Sequence, residues 1–182
     1  MDVFLTTERL VLRRFTAADV DALVDLDADP EVTRYLTGGR PTPREVVEST
    51  LLPLYLEHYR RDGDLGWWAA EEREGGAFLG WFEFRPLDGR TEVELGYRLR
   101  RPAWGRGYAT EGARALIRRG FTGLGVERVV AYTMAVNRGS RRVMEKAGLS
   151  YVRTFHEDYP EAIPGSEHGE VEYALTAADW HP

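Results

Sequence analysis

The sequence predicts an α/β (α+β) domain, a mixed and mostly antiparallel sheet of about seven strands with helices on both faces. Three observations point there. Short segments that alternate apolar and polar residues follow one another through glycine turns, the mark of antiparallel neighbours. One pair of strand-like segments is separated by a helical stretch, which makes a single βαβ crossover. The 182 residues, 43% hydrophobic and 30% charged, suit one core and show no linker, repeat or low-complexity tract. A single domain over residues 1–182 is expected.

The elements follow in order. Glu8 to Phe15 reads as a strand with Leu10 and Leu12 on one side and Val11 and Arg13 on the other. Thr16 to Asp19 forms a capping box with Asp in place of Glu, and Val20, Leu23, Val24 and Asp27 then fall at helical spacing. Asp29-Pro30 breaks that helix. A short helix runs from Glu31 to Leu36, and Gly38-Gly39 ends it. Thr42-Pro43-Arg44-Glu45 starts a helix that reaches Arg61, with Pro53 kinking or dividing it. Gly66–Glu71 and Ala77–Phe84 are strands joined at Gly75-Gly76. Asp88-Gly89 marks a turn, and Glu92–Leu99 is the next strand. After a glycine turn comes a helix burying Ala109, Ala113, Leu116, Ile117 and Phe121. Arg128–Met134 is an apolar strand, and Asn137–Lys146 is a short helix stopped by Gly148. Leu149–Phe155 and Glu170–Leu175 complete the sheet.

Composition excludes several functions. No apolar run approaches the roughly 20 residues that span a bilayer. The N-terminus has no secretory signal, so a cytoplasmic protein without a membrane partner is expected. The absence of cysteine removes disulfides, zinc-thiolate sites and a thiol nucleophile. Lys146 is the only lysine, a poor basis for Schiff-base chemistry. A net charge of −6 argues against nucleic acid as a partner. His156, Asp158, His168, Glu170 and Glu172 lack compact ligand spacing, so no metal is expected. Trp67, Trp68, Trp81 and Trp180 read as core or rim rather than as a base-stacking platform.

The most specific chemical offer is the turn Trp104-Gly105-Arg106-Gly107-Tyr108-Ala109. A glycine turn opening a helix leaves several N–H groups pointing one way at the positive helix end, a site for phosphate or pyrophosphate. Seven arginines and one acid lie between Arg98 and Arg119, so the segment is basic within an acidic protein. Arg100, Arg101 and Arg106 are read as ligand contacts; Arg114, Arg118 and Arg119 suit a solvated helix face equally well. The turn is not a P-loop, because Ala113-Arg114 follows Gly112 where Lys-Ser/Thr is needed. Nor is it a dinucleotide fingerprint, because Thr110 stands where the third glycine belongs.

A second motif follows some 30 residues on: Asn137-Arg138-Gly139-Ser140, then Glu145-Lys146-Ala147-Gly148. With Leu5-Thr6-Thr7-Glu8-Arg9-Leu10, Val93-Glu94-Leu95-Gly96-Tyr97 and the glycine turn, nearly the whole chain resembles the GNAT N-acetyltransferases. The likeness is to the branch that includes the ribosomal-protein N-alpha-acetyltransferases. Trp104 departs from the Gln or Arg that usually heads the phosphate motif, but the resemblance implies that main-chain amides carry the binding.

The resemblance implies acetyl-CoA as cosubstrate and a splayed central strand pair into which pantetheine inserts like a strand. N–H groups from Gly105 through Arg106, Gly107, Tyr108 and Ala109, with Thr110, would hold the pyrophosphate. Leu99 and Arg100 would line the pantetheine arm, and Asn137 would hydrogen-bond it. Arg101, Arg106, and Arg141 or Arg142, would meet phosphate charge. Ser140 is implied as the acid toward the CoA sulfur, or as a helix cap. Glu94 is implied as the base, with Glu92 on its face and Glu83 a weaker competitor. The N–H after a strand bulge near Leu99 would polarise the thioester carbonyl. Without a nucleophile set, direct transfer in a ternary complex is expected. The acceptor is an amine: a protein N-terminus, including that of a ribosomal protein, or a small molecule. A non-catalytic acyl-CoA-binding module is the alternative, and both monomer and homodimer fit.

Overall fold

The computed structural model of the chain describes residues 2–87, 89–157 and 161–181. The turn read at Asp88 and the start of the loop after Glu157 lie outside the described residues. Strands β1 (Val3–Thr6), β2 (Leu10–Arg13), β3 (Gly66–Glu72), β4 (Phe78–Pro86), β5 (Glu92–Leu99), β6 (Arg128–Met134), β7 (Ser150–Phe155) and β8 (Glu170–Thr176) form one sheet. Their order is β1-β2-β3-β4-β5-β6-β8-β7. Every neighbouring pair is antiparallel except β5 and β6, the crossover pair. The N-terminal strand β1 is a departure from the sequence reading. Its four residues alternate too little to be seen, and only its pairing with β2 reveals it.

The helices are α1 (Val20–Ala28), α2 (Pro30–Thr37), α3 (Arg44–Val46), α4 (Leu52–Asp62), α5 (Tyr108–Arg119) and α6 (Arg138–Lys146). The capping box at Thr16 and Asp19 forms, and Asp29 caps α2 through the Glu31 N–H. Pro53 divides the long helix: residues Val47–Leu51 widen into a π turn between α3 and α4. The proline has no N–H to give the preceding turn, and the extra residue absorbs the lost bond.

Alternation along β4 and β5 sorts two cores. Phe82, Phe84, Val93, Leu95 and Leu99 face α5 and α6, with Ala113, Leu116 and Ile117 above them. Trp67, Ala69 and Trp81 face the other way, against Leu23, Leu26, Val32 and Tyr55. The tryptophans of the strands are therefore core. Trp180 packs on Phe121, with ring centroids 5.6 Å apart.

Helix α5 lies directly on the sheet because Gly112 has no side chain. A Cβ there would stand 2.3 Å from the Phe82 ring. Gly112→Ala is expected to lower stability by about 1–3 kcal/mol through overpacking, read from the urea midpoint. A midpoint at or above that of the native chain would contradict this packing.

Candidate active site

The pairing of β5 with β6 stops early. Its register runs Glu92↔Arg128, Val93↔Val129 and Glu94↔Val130, and no further. Beyond it the two strands splay. The Glu92 carbonyl and the Arg100 N–H both bond toward the β4 side. Alternation therefore turns the main-chain groups of Tyr97 and Leu99 into the gap.

A cleft of about 980 Å³ fills the gap and passes through the sheet. Six consecutive β5 residues, Glu94 to Leu99, line it, so it is bordered from both faces of the strand. On the α5/α6 face its wall includes Trp104, Gly105, Gly107–Thr110, Asn137, Ser140 and Arg142. On the α1/α2 face it includes Glu83, Glu94, Trp81 and Tyr35.

The glycine turn is built as an anion cradle. Gly105 and Gly107 adopt φ of 72° and 85°, which L side chains resist. The main-chain N–H groups from Gly105 to Thr110 have no acceptor among the described residues; Glu111 is the first to bond back, to the Gly107 carbonyl. Tyr108 packs beneath the turn, its hydroxyl bonded to Glu72. Arg9 braces the cradle from outside, donating to the Arg106 carbonyl at 2.8 Å and pairing with Glu111 at 2.6 Å.

The arginines singled out in the sequence are placed differently from that reading. Arg100 pairs with Asp25 at 3.7 Å, Arg101 with Asp29 at 3.3 Å and Arg106 with Glu72 at 3.6 Å, and none of the three lines the cleft. Arg141 turns to the Tyr173 hydroxyl and the Ala135 carbonyl. The cationic residues lining the cleft, besides Arg34 and Arg98, are Arg138, Arg142 and Lys146 of α6. The i, i+4, i+8 spacing of these three could have revealed this shared face. β5 itself pairs regularly with β4 to Gly80↔Leu99, and the Arg100 N–H donates to Leu79 at 2.8 Å; the irregularity near Leu99 lies on β4, where the pairing with β3 skips Leu79. The Leu99 carbonyl accepts from the Trp104 indole at 2.8 Å, which fixes the ring at the cleft mouth.

Asn137 caps α6. Its Oδ1 accepts from the Ser140 N–H at 3.2 Å and its Nδ2 donates to Thr133 at 3.0 Å. Ser140 thereby sits on the first turn, facing β5. There the Tyr97 hydroxyl stands 3.0 Å from both the Ser140 carbonyl and Oγ. Burial pushes the Tyr97 phenol well above its ordinary pKa, so it stays a neutral donor. Tyr97 belongs to a motif noted in the sequence, but its partner lies 43 residues away and only the fold brings them together.

On the opposite face Arg85 bridges Glu83 and Glu94. Burial, then the charge of Glu94, pushes Glu83 up to about 7, against the pull of Arg85. Burial also raises Glu94. Glu92 is drawn away by Arg128 at 2.9 Å and does not line the cleft. Of the acids considered for metal, Glu172 is clamped between Arg128 at 2.9 Å and Arg153 at 2.7 Å.

Comparison with known proteins agrees with this geometry. Residues 9–150 match the acetyltransferase (GNAT) domain. An FsC-acetyl coenzyme A-N(2)-transacetylase of Aspergillus fumigatus is 35% identical over 97% of this chain and 77% of its own. An N-acetyltransferase of Bacillus licheniformis, itself uncharacterized, is 31% identical over 80% of this chain and 84% of its own. In fold, the chain is similar to a ribosomal alpha-N-protein acetyltransferase solved with coenzyme A: TM-score 0.81, 18% identity, 96% of this chain and 98% of that one. The chain belongs to the GNAT acetyltransferase family and is an acyl-CoA-dependent N-acetyltransferase.

Proposed function

We propose that the protein moves the acetyl group of acetyl-CoA straight onto a primary amine, both substrates meeting in the gap between β5 and β6. One observation carries this reading: a single cleft crosses the sheet, with unpartnered N–H groups on one face and a carboxylate pair on the other. The residues fit the cosubstrate. The diphosphate suits the cradle from Gly105 to Thr110, and α6 offers Arg138, Arg142 and Lys146 to further phosphate charge. The pantetheine amides suit the strand edge offered by the main chain of Tyr97 and the Leu99 N–H.

The amine arrives as an ammonium, with an ordinary pKa near 10, and must lose a proton to attack. Glu83 takes that proton; its affinity near neutrality lets it be ionised and still basic. The nitrogen then attacks the thioester carbon, the C–S bond breaks, and the second nitrogen proton balances the thiol formed. The Ser140 hydroxyl donates to the departing sulfur, and the Tyr97 hydroxyl in turn supports Ser140 Oγ. We read Glu83 ahead of Glu94 because its carboxyl is pushed up to about 7, the reverse of the order read from sequence.

An amine panel with thiol release as readout tests the activity. It includes ribosomal-protein N-terminal peptides, amino acids and aminoglycosides. Ser140→Ala is expected to lower kcat by about tenfold to a hundredfold, with a smaller change in the acetyl-CoA KM. A variant that raised KM alone would assign Ser140 to binding and remove it from the chemistry.

A further inference from the structure

The acceptor face of the cleft holds more carboxylate than the chain neutralises. Glu31 faces Arg34 at 3.7 Å, and Glu161 is held by Arg40 at 2.5 Å. Glu83 and Glu94 share the one guanidinium of Arg85. Glu170 lines the same cleft and has neither an ion pair nor a side-chain hydrogen bond among the described residues. One guanidinium therefore serves the Glu83–Glu94 pair and none serves Glu170, whose carboxyl is pushed up by burial and by the charge of Glu157; a bound cation would favour the ionised form of each.

Their spacing is set by β6. Glu94 pairs across to Val130 and Glu170 to Met134, so the two carboxylates share a face of the sheet. They stand four residues apart along β6, on the order of 13 Å at the strand rise. Tyr132 lies between them on β6, and Met134, opposite Glu170, and Ile163 also line the cleft. Such a wall suits a hydrocarbon spacer and, at the ring faces, a cation.

We propose that the acceptor is an elongated aliphatic amine with a second cationic group, held by Glu170 while the reacting nitrogen sits at Glu83. This rests on the acetyl-transfer reading above. A compact monoamine leaves Glu170 without a partner. An acceptor ending in a carboxylate is repelled by it. Glu170 touches neither reacting atom, so it sets which amine is held and not how the bond is made.

The test compares octylamine with its ω-amino, ω-hydroxyl and ω-carboxyl counterparts in the full chain, with acetyl-CoA and thiol release. The ω-amino compound is expected to exceed octylamine in kcat/KM by about tenfold, chiefly through KM, and the ω-carboxyl compound to be poorest. In Glu170→Gln the ω-amino advantage falls to about twofold or less, and Glu170→Asp restores most of it. Stabilisation of each variant by acetyl-CoA in a thermal melt confirms that it is folded. Equal kcat/KM for the ω-amino and unsubstituted amines, or a preference that survives Glu170→Gln, overturns the inference and leaves acetyl transfer standing. No thiol release with any amine, and no stabilisation by acetyl-CoA, would overturn both.

Discussion

Glu83→Gln is expected to lower kcat/KM for amine acetylation by about a hundredfold to ten-thousandfold, the range of a positioned general base. The pH profile should identify the cause. As the proposed base, Glu83 would act only when ionised, so kcat in the native chain is expected to rise with pH through about 7. The variant has no ionising group at that position, and its acidic limb should flatten. The two carboxylates are coupled, and this gives a second readout. The charge of Glu94 helps to raise Glu83. Glu94→Gln removes that charge, so the limb should move to lower pH while much of the rate survives. If Glu94→Gln instead abolished the limb and Glu83→Gln merely displaced it, the base would be Glu94.

Gly107→Val is expected to weaken acetyl-CoA binding by about a hundredfold in calorimetry, with the folded chain retained. Gly107 has φ of 85°, and a β-branched residue is a steric outlier there. The backbone must shift, and the N–H groups no longer converge. Each hydrogen bond to a charged group contributes about 1.5–3 kcal/mol, so misdirecting one or two accounts for the loss. Arg106→Ala should weaken binding less than about threefold, because the Arg106 side chain points to Glu72 and lies off the cleft wall. A larger loss from Arg106→Ala than from Gly107→Val would mean that side-chain charge, and not the main chain, holds the diphosphate.

These two experiments also divide what was legible in the sequence from what was not. The glycine turn and the Asn137–Ser140 helix start were readable because each is local: the residues that define it lie within a few positions of one another; the crossover was readable from the order strand, helix, strand. Partners distant in sequence were not. Arg101 and Arg106 stood beside the turn in sequence, yet Asp29 and Glu72 claim their charges. Arg138 and Lys146 were quoted only as parts of a motif, although helical spacing carries them to the cleft. The upward shift of Glu83 depends on burial and on the charge of Glu94, which no spacing encodes. The Tyr97–Ser140 contact depends on the packing of α6 against β5.

A crystal structure of the chain with acetyl-CoA tests the central claim most directly. The diphosphate should accept hydrogen bonds from the main chain of the Gly105–Thr110 loop, with pantetheine between β5 and β6 and the sulfur beside Ser140. A cofactor seated anywhere else, with that loop still unliganded and the strand gap empty, would contradict it.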